Sequence, residues 1–104
     1  MAEPTPQDRN LSRLLKTVAK NVDDVMAAMV LIAWINVFPD RVQIDGYFNP
    51  PHETLQKRMK LSSIGYWDLV RKLSINGWVE RTHMETGIWW RVNWTRVAEV
   101  TEHT

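Results

Sequence analysis

The chain of 104 residues contains no cysteine. That excludes a disulfide framework, a thiolate metal site and a cysteine nucleophile, and it fits a reducing, cytoplasmic setting. A dominant charge is also missing. Thirteen Lys and Arg against 12 Asp and Glu leave a formal net charge of +1, so no overall field announces a partner. The longest apolar run, Val25 to Val37, is broken only by Asn36 and falls short of the roughly 20 residues that cross a bilayer. There is no Gly-rich phosphate loop and no serine in an elbow motif. His52, His83 and His103 have no carboxylate or second His at ligand spacing. Neither catalysis nor a metal or cofactor site is expected.

What is present is an ordinary globular composition, 44% hydrophobic and 24% charged, with six tryptophans. A single small core has little fully buried volume, so they cannot all be deep. Residues 1–10 carry two prolines, no apolar periodicity and none of the basic and apolar regions of a secretory signal. They read as a disordered tail ahead of one domain over 11–104. Leu11, Leu14, Leu15 and Val18 recur at helical spacing. Asn21, or Asp23 and Asp24, offers a cap for a second helix that runs to Val37 and ends before Pro39. Leu31, Ile32 and Ile35 occupy its remaining faces, and a helix apolar nearly all round needs burial on more than one side. The expected solution is a homodimer whose interface draws on Leu11, Leu14, Leu15, Val18, Leu31 and Ile35.

Asp40 to Gly46 reads as a loop, with Tyr47-Phe48 as a short strand stopped by Pro50 and Pro51. His52 or Glu53 then opens a helix whose apolar face is Leu55 and Met59. Ser62 is a natural N-cap for the next helix, which turns Tyr66, Leu69, Val70 and Leu73 inward and ends at Asn76-Gly77. A strand from Trp78 to His83 and a turn at Glu85-Thr86-Gly87 follow. The return strand alternates Ile88, Trp90, Val92 and Trp94 with Trp89, Arg91 and Asn93. Thr95 to Val100 suits a last short helix. The expected class is α+β, mainly α.

Several local features in this order carry a likeness: Glu53-Thr54-Leu55 opening a helix, Leu61-Ser62 in the turn, Leu73 with Asn76-Gly77-Trp78-Val79, and Arg91-Val92-Asn93-Trp94. With them, Phe48 to Trp94 resembles the winged helix-turn-helix family of bacterial, plasmid and phage DNA-binding proteins. The last four residues look especially like those closing the N-terminal domains of replication initiators and replisome organisers. The resemblance implies a recognition helix over Ser62 to Ile75 and a wing over Thr82 to Arg91. It also implies binding of double-stranded DNA, in transcription regulation or in plasmid or phage replication or partition. Two positions depart from the pattern. Lys60 stands where the turn often has glycine, and the outward positions of the recognition helix, Ser63, Ile64, Trp67, Asp68, Arg71 and Lys72, include only two cations.

Lys57, Arg58, Lys60, Arg71, Lys72, Arg81 and Arg91 put seven cations within residues 57–91. Asp68, Glu80 and Glu85 oppose them, a local balance of +4. Such side chains contact phosphates and fix register, while fewer side chains read bases. The plainer alternative is a solvated cationic face. Ser62 and Ser63 suit phosphate at the helix N-terminus as well as simple capping. His83 joins the cations on the hairpin. Asp68 either accepts from a cytosine amine or orients Arg71. Trp67 and Trp89 suit either a DNA contact or the anchor of a protein partner, since exposed tryptophan is typical of interface hot spots. A winged-helix module that binds another protein is therefore the competing expectation.

Overall fold

The computed structural model describes residues 16–22 and 24–102. The expected tail over 1–10, and Leu11, Leu14 and Leu15 of the expected interface, lie outside them. Residues 16–22 are helical (α1). They are followed by α2 (Val25–Val37), a 3-10 turn (Phe38–Asp40), β1 (Gln43–Ile44), β2 (Tyr47–Phe48), α3 (His52–Arg58) and α4 (Ser63–Ile75). The order closes with β3 (Val79–Met84), β4 (Gly87–Val92) and α5 (Trp94–Glu102). The class is α+β, mainly helical, with one antiparallel four-stranded sheet in the order β1-β2-β4-β3.

Helix α2 starts where Asp24 accepts a hydrogen bond from the Ala27 N–H (3.1 Å). Two successive turns end in the left-handed conformation. At the end of α3, Lys60 (φ 56°) lets its own N–H reach the Lys57 carbonyl and the Leu61 N–H reach the Gln56 carbonyl. At the end of α4, Gly77 (φ 78°) does the same, with the Gly77 N–H on Ser74 and the Trp78 N–H on Leu73. Both are Schellman ends, which satisfy otherwise orphaned carbonyls and drop an apolar residue back onto the helix. Here Leu61 packs at the edge of the core, and Trp78 is fully buried beside Leu73.

The sheet departs from the sequence reading in two places. The expected loop over Asp40–Gly46 contains strand β1, because Asp45 (φ 53°) and Gly46 (φ 82°) supply the two positive φ angles of a tight hairpin. Trp94 is not on the face of the return strand. Asn93 caps α5 by accepting from the Arg96 N–H (3.2 Å), so the chain turns helical at Trp94.

The core lies between α2, α4 and the inner face of the sheet. Its largest members are Trp34, Tyr66, Phe48 and Trp78, with Leu31, Leu55 and Leu73 between them. Val18 and Leu31 have no exposed surface within the single chain, and Ile35 is half-buried against the same core. None of the three stands on an open face. The apolar circumference of α2 is taken up by its own chain, and what it leaves exposed is Val25, Met26 and Met29. Among the described residues no helix is long and apolar enough to cross a membrane.

Candidate nucleic-acid interface

Ser62 caps α4 through its Oγ, which accepts from the Gly65 N–H (3.0 Å), so the helix begins at an exposed turn. Lys57, Arg58, Lys60, Ser62, Ser63 and Ile64 are all exposed around that beginning. Lys57 lies 3.5 Å from Glu53 one turn back, a fully solvated pair that constrains it little. Further along, Trp67, Asp68 and Arg71 follow on the outward side. Asp68 makes no ion pair with Arg71, so the orienting role expected of it is absent.

Two expected DNA contacts are placed elsewhere. Lys72 reaches back across α4 to Asp24 at the start of α2, Nζ to Oδ2 2.9 Å, and so faces the helical layer. It lies on the opposite side of α4 from Trp67 because five helical residues separate their directions by well over a quarter turn. The hydrogen bond from Ala27 and the Lys72 ammonium together hold the Asp24 carboxyl below its usual pKa. Arg91 lies on the outer face of the sheet. Its Nε donates to Glu80 Oε1 (2.8 Å), and its guanidinium sits 4.7 Å from the centre of the Tyr47 ring. That partner raises the Arg91 pKa.

The register explains the split. Arg81 pairs with Trp90 and His83 with Ile88, whereas Glu80 pairs with Arg91 and Thr82 with Trp89. Directly opposed residues share a face, so Arg81 and His83 stand on the α4 side and Arg91 on the other. Trp89 is also on the far side, only 8% exposed, with its N–H donated to Thr86 Oγ1 (2.9 Å). It is packed, and does not serve as a surface anchor. Trp67, 40% exposed, remains open.

Behind Trp67 is a cluster that the sequence did not reveal. His52, the first residue of α3, has its ring within 6.2 Å of four others, those of Trp34, Tyr66, Trp67 and Trp90. The Trp34 N–H donates to Tyr66 Oη (3.0 Å), which lies 2.8 Å from His52 Nδ1. The Tyr66 oxygen, which accepts from the indole, shares a second hydrogen bond with the His52 ring nitrogen. Burial pushes the His52 pKa down to about 4 and that of Tyr66 up to about 12. No spacing rule links residues 34, 52, 66 and 90. Only the fold brings them together.

Between α4 and the hairpin lies a cleft of about 530 Å³, walled by Trp67, Arg71, Ser74, Ile75, Arg81 and Ile88 over a floor of Val70 and Trp90. Among the described residues no group of three His, Asp or Glu side chains is placed to hold a metal ion. Comparison with family models, curated proteins and solved structures finds no match to this chain.

Proposed function

We propose that the chain is a winged helix-turn-helix protein that binds duplex DNA, with α4 as the recognition helix and β3–β4 as the wing. One observation carries this reading. The exposed side chains of Lys57, Arg58, Lys60, Arg71 and Arg81 surround the N-terminus and outward side of α4, and among the described residues none has a buried counter-ion. Cations so placed contact phosphates on either side of a groove, while the α4 N-terminus and its serines favour a further phosphate. Lys72 and Arg91, tied to Asp24 and Glu80, contribute little. Base reading falls to Ser63, Ile64, Trp67, Asp68 and Arg71, a set with one cation. Burying α2 does not require a homodimer, and the proposal does not depend on one. Transcription regulation, or replication or partition of a plasmid or phage, are the roles such binding would serve.

The test is anisotropy of labelled duplex DNA across a salt titration. Five phosphate contacts give a slope of log affinity against log salt of about −4 to −5, and Arg71→Ala costs about 1–3 kcal/mol where it reads a base. Affinity that does not change with salt would refute the proposal. A protein-binding module is favoured instead by the apolar outward positions of α4, since Ile64 is 78% and Ile75 72% exposed beside Trp67. Absence of any DNA complex at low salt would select that second reading.

A further inference from the structure

We infer that the cleft between α4 and the hairpin is a binding site for a single unpaired nucleotide, a planar base with its phosphate. The inference goes beyond duplex binding, though Arg71 and Arg81 serve both. Three features of the cleft converge on this ligand.

Its charge is the first. Arg71 comes from α4 and Arg81 from β3, so two arginines line one concavity from opposite walls. Among the described residues neither has a carboxylate partner, in contrast to Arg91 on the other face of the same sheet. No acidic side chain among the described residues lines the cleft. Guanidinium forks match phosphate oxygens in geometry and stay charged at any physiological pH, so the complementary occupant is an anion with several oxygens.

The second is the aromatic and aliphatic wall. Trp67 presents two-fifths of its surface, and Ile75 and Ile88 are exposed beside it. A hydrated inorganic ion has no use for that surface, whereas a base does, because every base has a π-face that stacks on an indole. The Trp67 and Trp90 rings are 6.2 Å apart and tilted by 35°, too close to admit a ring between them. The base therefore lies against Trp67 from the cleft side. Ser74 adds a hydroxyl at the same wall.

Size is the third. A cleft of about 530 Å³ is in the range of small-molecule sites and holds a nucleotide, but it does not admit a duplex. Trp67 is also held from behind, with His52 at 4.6 Å and Tyr66 at 5.3 Å, so the stacking surface is rigid before any ligand arrives.

The test is an NMR titration of the full chain, following the Trp67 indole N–H and the Ile75 and Ile88 methyls. The probes are dAMP, deoxyadenosine, inorganic phosphate and an oligo(dA) single strand. Saturable shifts at these groups are expected with dAMP. Deoxyadenosine and phosphate, each lacking half of the ligand, should bind at least about tenfold more weakly, as should dAMP to R71Q, R81Q or W67A. The variant W67F keeps a ring and should retain most of the affinity. If the strand binds far more tightly than dAMP, and loses that affinity in the same variants, the natural source is single-stranded DNA. Equal affinities point to free nucleotide. The variant K57Q lies outside the cleft, so it weakens duplex binding and leaves dAMP binding unchanged, which separates failure of this site from failure of the duplex reading. No saturable shift at Trp67, or equal response to dAMP and deoxyadenosine, overturns the inference.

Discussion

Lys60 shows how one side chain serves two demands that conflict. Its backbone sits at φ 56° to close the end of α3, a conformation that costs an L-residue about 1 kcal/mol. Its ammonium is exposed on the side of the proposed phosphate contacts. Lys60→Gly removes the backbone cost and also the charge. Part of the gain is offset by the greater freedom of glycine in the unfolded chain. The expected outcome is a rise in stability of roughly 0.5–1 kcal/mol in urea denaturation, with a shallower salt dependence of duplex affinity. A loss of stability would show that the lysine side chain is itself holding the turn. The resemblance to the winged helix-turn-helix pattern singled out this residue as a departure from a glycine turn, and its positive φ agrees with that position. The partners of Lys72 and Arg91 were not readable, because whether a cation faces solvent or a carboxylate depends on which element packs beside it.

At the scale of elements, the junction of α2 with α4 depends on Asp24 twice over, as the cap of one helix and the counter-ion of the other. Asp24→Ala is expected to lower stability by about 1–3 kcal/mol, the sum of a lost cap and a half-exposed ion pair. Asp24→Asn, which keeps an acceptor for the Ala27 N–H, should lose less than half of that in the same denaturation assay. Equal losses would assign the whole effect to charge. Helix ends were the most legible part of the sequence: the Ser62 cap, the Asn76-Gly77 stop and a cap among Asn21, Asp23 and Asp24, which the structure gives to Asp24, act through neighbours within a few residues. The β1–β2 hairpin was signalled too, by Asp45-Gly46, but two-residue strands give no periodicity to support that signal. The site was legible as a cluster of cations and not as a surface, because strand register, fixed only when β4 pairs on both edges, decides which face Arg81 and Arg91 take.

For the whole molecule, the buried chain from Trp34 through Tyr66 to His52 couples three helices to one protonation state. The folded pKa of His52 is about 4 against an ordinary 6.5, so between those values the unfolded chain binds the proton and the folded one does not. Stability from this group is therefore complete above pH 6.5 and is lost as the pH falls towards 4. The loss is on the order of 2–3 kcal/mol. His52→Gln, which does not titrate in this range, should flatten that part of the stability–pH curve whatever it costs at neutral pH. An unchanged slope would place the acid sensitivity elsewhere. The strand order carries a different kind of consequence. Among the described residues the last strand in chain order, β4, is an inner one and pairs with both β2 and β3. A nascent chain on the ribosome can wind its helices early, but β2 has no inner neighbour and Trp34 lacks its contact with Trp90 until residue 92 has emerged. Closure of the sheet thus waits for β4, and a chain truncated before residue 92 leaves a strand edge and apolar surface open to chaperones and proteases.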